Sequence, residues 1–263
     1  MTYQQLIFLI NRVCEKHIEY SGYDLKMLTI VGSQSILFTH KKPRMAMSAS
    51  SEIDVLLEKN LYDDKTQFFL ESIEFNSGTM SPFAESTGLE IDMVSDRTLI
   101  TPNNWKERRK FITAKDEPLL NTNTEINYIE QHDLMLTKLR AGRDKDLDFV
   151  EEQFHMNSMS SRVINKTLRE DIDLSFFCDS DGKINDDKNY ERFKTFSKRL
   201  IRLYDTYLGQ GKAETVTKIF SDMENSIFPT PSIKDQLSKF KSLNPGADNK
   251  NDNTKKPEPP KLT

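Results

Sequence analysis

The chain has 263 residues, of which 36% are hydrophobic and 30% are charged, and its formal net charge is −4. This composition predicts a globular protein with many solvated faces, and the acidic balance argues against non-specific attraction to nucleic acid. Since no apolar run approaches the roughly 18 residues of a membrane helix, we expect no membrane association.

The first hundred residues predict an alternation of helices and strands. Apolar residues recur at helical spacing between Leu6 and Cys14, which indicates an amphipathic helix ending near His17. Gly32 ends the first of the predicted strands, and a helix is expected directly after it. The segment FFLESIEF (68–75) fits a helix and a strand equally well. Three short segments predict strands: KMLTIV (26–31), EIDVLLE (52–58) and GLEIDMVS (88–95).

From NNWKERRKF (103–111) onward, helical patterns dominate the sequence. They fall in four segments: 130–155, 160–172, 188–209 and 212–226. The final stretch has no aromatic residue and many Pro, Asp, Asn and Lys residues, which predicts disorder. We therefore expect an α/β core over residues 1–115, a mainly helical domain over 116–243 and a disordered tail over 244–263.

Two acidic side chains interrupt the second predicted strand. Side chains two positions apart on a strand point to the same face, so Glu52 and Asp54 lie together while Ile53 packs on the other face. An isolated buried carboxylate is strongly unfavourable, and a cation would offset that penalty. Asp92, on the third predicted strand, joins the pair if the two strands are neighbours. Mg²⁺ suits such a pocket because it takes carboxylates together with substrate phosphates.

Gly32 and Ser33 lie between a strand and a predicted helix. Glycine allows close approach of the backbone, serine offers a hydroxyl, and the amino end of a helix favours an anion. A phosphate-binding turn beside an acidic metal site is what phosphoryl or nucleotidyl transfer requires. Either feature alone is common, because Gly-Ser turns and acidic sheet faces occur in many α/β proteins. The order of the features is more specific than any one of them.

The order VGS…EID…EID resembles that of the nucleotidyltransferase superfamily, which includes DNA polymerase beta-like enzymes and the AbiEii-type toxins of bacterial toxin–antitoxin systems. HDLMLTKLRAGRDKDLDFV (132–150) looks like the helical Lys-plus-Arg-Asp segment that the toxin-like proteins carry after the sheet. The resemblance covers roughly residues 27–155. It implies an α/β fold with a nucleotidyltransferase-like mixed sheet and flanking helices, followed by a mainly helical domain.

The resemblance also implies roles for particular residues. Three acids would hold Mg²⁺: Glu52, Asp54 and Asp92. Three residues would bind the nucleotide phosphates: Gly32, Ser33 and Lys138. Three would act in catalysis: Asp92, which helps activate the acceptor hydroxyl, Lys138, which contacts the triphosphate, and Asp146, which orients it. The first acid is most often Asp in this superfamily, so Glu52, with one more methylene, is a departure.

The implied reaction moves a nucleoside monophosphate from an NTP to a hydroxyl of RNA (tRNA) or protein, in a toxin or defence component with a cognate antitoxin. Glu52 keeps a second interpretation open, in which an inactive nucleotidyltransferase fold serves as a binding module in such a complex. Two basic clusters, at 41–44 and 106–110, would suit an RNA acceptor, and a solvated surface explains them equally well. Trp105 is expected to pack rather than to stack on a base.

Cysteine and histidine usage indicates a cytoplasmic protein with no zinc site. Cys14 and Cys178 lie far apart, which fits a reducing compartment, and the N-terminal segment lacks the basic region of a signal peptide. The histidines show no close pairing. DSDGKINDD (179–187) does not fit a calcium-binding EF-hand, because alignment on Gly182 puts the wrong residues at the first and last ligand positions.

Overall fold

The computed structural model describes residues 1–42, 50–58, 62–95, 98–179 and 186–229. In this part of the chain, a five-stranded mixed sheet is flanked by helices on both faces. The strands are β1 (Met27–Val31), β2 (Glu52–Leu57), β3 (Glu90–Ser95), β4 (Lys110–Ile112) and β5 (Glu125–Tyr128). The helices are α1 (Tyr3–Ser21), α2 (Ile36–Thr39), α3 (Asp64–Ser77), α4 (Pro82–Thr87), α5 (Trp105–Arg108), α6 (Gln131–Ala141), α7 (Asp144–His155), α8 (Ser161–Glu170), α9 (Asp186–Leu203) and α10 (Gln210–Ile227).

The strands are arranged in the order β3-β2-β1-β5-β4. β2 pairs with β3 and β1 pairs with β5 in parallel, whereas the β1–β2 and β4–β5 pairs are antiparallel. The three strands expected from the sequence are confirmed, and the predicted α/β mixed sheet with flanking helices is the observed fold class. β4 and β5 were not predicted, because helical patterns were expected after residue 103. Since β5 lies beside β1 in the middle of the sheet, the sheet continues past residue 115.

Several helices follow directly from local sequence. The ambiguous segment 68–75 is helical and forms part of α3. The side chain of Asp63 caps this helix, because it accepts a hydrogen bond from the backbone N–H of Thr66. The expected helical segment 130–155 is divided at Gly142, whose φ of 66° ends α6 before α7 begins. The sequence predicted the helical content here but not this division.

The two faces of the sheet pack into different hydrophobic clusters. One face buries Ile30, Ile53 and Ile91 against α1 and α3. The other face contributes Val31 and Leu56 to a cluster built mainly from α6 to α10. Asp54 lies between Ile53 and Val55 in sequence, so its side chain points to the second face, towards the helical layer.

Two expectations concern residues outside the described part of the chain. The predicted disorder of residues 244–263 falls there, as does most of the segment 179–187. Among the described residues, no helix combines the length and the apolar character needed to cross a membrane.

Candidate active site at the end of strand β1

The turn that follows β1 brings the backbone against an acid of β2. Gly32 has a φ of 70° and a ψ of −174°, a conformation that strongly favours glycine. A Cβ atom on Gly32 would lie 1.6 Å from Oδ2 and 2.6 Å from Cγ of Asp54. The antiparallel register, which pairs Val31 with Asp54, sets this approach. The carboxylate therefore occupies the space that any side chain at position 32 would need.

The predicted acids share one region of the sheet. The parallel register of β2 and β3 pairs Asp54 with Asp92, so the condition under which Asp92 joins the other two acids, that these strands are neighbours, is met. Burial raises the pKa of Asp54 to about 7, and repulsion from Glu52 and Asp92 contributes to the rise, while the positive charge of Lys138 opposes it. A cation placed among these carboxylates would oppose both causes of the rise.

Two of the acids are also held by other side chains. Oε1 of Glu52 accepts a hydrogen bond from Ser50 Oγ at 3.2 Å. On α3, burial and a side-chain hydrogen bond with Asp92 raise the pKa of Glu74, although its Oε1 accepts from the backbone N–H of Met93 at 3.3 Å. No group of three or more His, Cys, Asp or Glu side chains in the described ranges could hold a metal ion. The three acids thus share a region without forming a closed protein cage.

A buried ion pair lies across from the acids, at the junction of α6 and α7. Nζ of Lys138, a residue 8% exposed, donates to Oδ1 of Asp146 at 2.9 Å. Arg143 Nε donates to Oδ2 of the same carboxylate at 2.6 Å. Burial alone would raise the pKa of Asp146, but the hydrogen bonds from Arg143 and Lys138 hold it below its ordinary value. The turn at Gly142 produces this arrangement by placing Asp146 in the first turn of α7.

A cavity of about 190 Å³ is lined by one of the acids, Asp54, and by both of these cations. Its polar wall includes Gly32, Asp54, Lys138 and Arg143. Apolar residues form much of the remaining wall: Val31, Val94, Leu99, Ile100, Ile129 and Leu134. The cavity therefore combines a carboxylate, a glycine turn, an apolar surface and three cationic residues, Lys138, Arg140 and Arg143.

A protein family described as "Nucleotidyltransferase of unknown function (DUF6036)" matches residues 7–200, which is more than half of the chain. The chain belongs to the DUF6036 family. No curated protein and no solved structure matches it. The DUF6036 match supports the predicted superfamily, whereas the AbiEii-type branch within it stays a prediction.

The matched DUF6036 region contains all seven predicted site residues. Three of them line the cavity: Gly32, Asp54 and Lys138. The other four lie nearby: Ser33 follows Gly32, Glu52 is two positions from Asp54 on the same strand, Asp92 pairs with Asp54 in the sheet, and Asp146 accepts a hydrogen bond from Lys138. Ser33 is half-buried in the short 3-10 turn, Ser33–Ser35, that leads into α2.

The sequence did not predict Arg143 as a site residue of this DUF6036 chain. Its side chain is 63% exposed, lines the cavity and pairs with Asp146. The spacing offered a signal, because residues three apart on a helix are neighbours and Arg143 precedes Asp146 by three positions. The apolar wall formed by Leu99 and Ile100 had no comparable signal, because a loop places these residues.

Proposed function

We propose that this chain is a metal-dependent nucleotidyltransferase, which moves a nucleoside monophosphate from an NTP to a hydroxyl of RNA (tRNA) or protein. We further propose that it acts as a toxin or defence component with a cognate antitoxin. The observation that carries the enzymatic proposal is the single cavity that joins the Gly32 turn, Asp54 and Lys138. Prearranged charges of both signs in one cavity suit phosphoryl chemistry, which depends on positioning and charge stabilisation.

The cationic wall would bind the triphosphate. Lys138 is fixed by its hydrogen bond to Asp146 and lies 5.3 Å from the centre of the Phe149 ring, so its ammonium group is held in place. Arg143 is more exposed and would meet the outer phosphates. On the other wall, the backbone of the Gly32 turn and the Ser33 hydroxyl would contact phosphate oxygens. Asp92, paired with Asp54 in the sheet, would accept the proton of the acceptor hydroxyl.

The acids fit Mg²⁺, with Glu52 and Asp54 as its first ligands and Asp92 beside them. This ion is usually held by one or two carboxylates and completed by substrate phosphates and water. The lack of a closed three-residue metal group among the described residues is compatible with that mode. The pKa of Asp54 near 7 supports the assignment, since a cation would favour the ionised form. Bound Mg²⁺ would supply charge neutralisation at the phosphates.

One observation favours the second candidate, an inactive binding module. Asp92, the acid assigned to activate the acceptor, lies close enough to Glu74 to raise the pKa of Glu74, and two carboxyl groups hydrogen-bond each other only by sharing a proton. In an active enzyme, this bond has to open or yield when substrate and metal bind. In a binding module, it would persist with nucleotide present.

Label transfer from each of the four NTPs tests the proposal. Purified protein is incubated with Mg²⁺, an α-phosphate-labelled NTP, and either total cellular RNA or total protein. We expect label in an acceptor with the wild-type chain and none with Asp54→Asn or Lys138→Met. Asp148→Asn, an exposed acid on α7 that does not line the cavity, is the matched control and should retain transfer.

Calorimetry with Mg²⁺ and each NTP separates the two candidates. Binding together with label transfer supports the enzyme. Binding without transfer to either acceptor pool supports the binding module. If the wild-type chain binds no NTP, the proposal of a nucleotidyltransferase is refuted.

A further inference from the structure

A buried glutamine follows the Gly32 turn and reaches the strand that carries the acids. Gln34 is 0% exposed, and its Nε2 donates to the backbone oxygen of Ser50 at 2.9 Å. Its Oε1 is buried without a hydrogen-bond partner among the described residues. An unpaired buried acceptor is unfavourable, and an apolar side chain of similar size would avoid it. The hydrogen bond to Ser50 is therefore the one favourable interaction that a leucine at position 34 would lack.

Ser50 in turn holds Glu52 at two points. Its Oγ donates to Oε1 of Glu52 at 3.2 Å and accepts from the backbone N–H of Glu52 at 3.4 Å. The amino group of Met1 donates to the same Ser50 backbone oxygen at 3.1 Å. A continuous set of hydrogen bonds thus runs from Gln34 through Ser50 to the carboxylate of Glu52.

We propose that Gln34 and Ser50 are positioning residues for Glu52, the first acid of the metal site. This inference rests on the proposed function. One short turn then sets both acids of β2, because Gly32 leaves room for Asp54 and Gln34 holds Glu52 through Ser50. Hydrogen-bond partners of a metal ligand fix its orientation, and their loss weakens metal affinity by about 10–100-fold.

The longer side chain of Glu52 explains why this support is needed. Glutamate has one more rotatable bond than aspartate, so more side-chain conformations compete with the one that binds metal. The Ser50 hydroxyl restricts that freedom before metal arrives. A purely structural role would instead change the stability of the fold and leave the metal affinity of the folded protein unchanged.

The experiment measures Mn²⁺ binding to the full chain by electron paramagnetic resonance, with Mn²⁺ alone as the probe. We expect Ser50→Ala and Gln34→Leu to weaken Mn²⁺ binding by about 10–100-fold. Ser50→Thr keeps the hydroxyl and should stay close to wild type. Ser72→Ala removes a serine hydroxyl that bonds the Phe68 backbone oxygen on α3, and it is the matched control.

A double variant shows whether Ser50 acts through Glu52. If it does, Ser50→Ala combined with Glu52→Gln should bind Mn²⁺ no more weakly than Glu52→Gln alone. Further weakening in the double variant would overturn the proposal, as would wild-type affinity in Ser50→Ala. In either case, the proposed function would stand. If the wild-type chain binds no Mn²⁺, this inference is overturned, whereas the proposed function is decided separately by the binding of Mg²⁺ together with an NTP. If Gln34→Leu does not fold, the Ser50 variants decide the question.

Discussion

Replacing Gly32 with alanine tests whether the close approach of the turn to Asp54 builds the site. A side chain at a φ of 70° and a ψ of −174° is strained by about 1–3 kcal/mol. The new Cβ would also lie 1.6 Å from Oδ2 of Asp54, so the carboxylate has to rotate away at a further cost of about 0.5–1.5 kcal/mol. We expect Gly32→Ala to lower the free energy of unfolding by about 2–4 kcal/mol. In a chain of this size, each kcal/mol corresponds to about 2–4 °C in Tm.

Gly22→Ala provides a control with a similar φ and no collision. Gly22 has a φ of 81° at the end of α1, and no heavy atom lies within 4 Å of a Cβ built there. Its alanine variant should lose only about 1–2 kcal/mol, the strain of a left-handed residue. Urea denaturation measures the free energy of unfolding of both variants. Mn²⁺ binding tests whether displacement of the Asp54 carboxylate weakens the metal site. Equal destabilisation of the two variants, with Mn²⁺ binding retained in both, would refute the role given to the Gly32–Asp54 approach.

Three further predictions concern the charges of the site. Burial and the neighbouring acids raise the pKa of Asp54 from 3.8 to about 7, so between these values the folded chain holds a proton that the unfolded chain has lost. The contribution of Asp54 to the free energy of unfolding in metal-free buffer should therefore fall as pH rises from about 4 to 7, a loss of about 4 kcal/mol by pH 8 that Asp54→Asn should avoid; parallel pH profiles of the two proteins would contradict this. Lys138→Met leaves the fully buried Asp146 with Arg143 as its remaining cation and should lower the free energy of unfolding by about 2–3 kcal/mol. Adding Asp146→Leu should recover part of that loss in urea denaturation, and a strictly additive double variant would argue against the coupling. Glu52→Asp should keep Mg²⁺-dependent NTP binding and Glu52→Gln should lose most of it in calorimetry, because the amide retains the size but not the charge; equal binding by both variants would remove Glu52 from the metal site.

The sequence predicted those parts of the fold whose conformation is determined by the pattern of neighbouring residues in the chain. β1, β2 and β3 were predicted because alternating or β-branched residues define them without reference to partners. β4 and β5 have only three and four residues, KFI and EINY, which are too short to show a period. Their strand conformation depends on pairing with each other and with β1, and those contacts join distant parts of the chain.

The same distinction applies to the site. The sequence placed Glu52 and Asp54 on one face of a strand, but it could place Asp92 beside them only on the condition that the two strands are neighbours, which the sheet pairing meets. The burial of Lys138 and its pairing with Asp146 depend on the turn at Gly142, and the sequence assigned these residues only by family resemblance. The loop carrying Leu99 and Ile100 had no periodic pattern, so the apolar wall became visible only in the folded chain.

The interior position of β5, between β1 and β4, sets the order in which the parts of the cavity form during translation. β1, β2 and β3 have all been synthesised by Ser95, yet one edge of β1 lacks its partner until residues 125–128 follow. At about 5–20 residues per second, this delay is roughly 1.5–6 s. During this delay, the acids of β2 and β3 have been synthesised but Lys138 has not. The unpaired edge of β1 can then pair with strands of other chains. A nascent chain released before β5 would therefore carry the acidic wall alone and would be prone to aggregate.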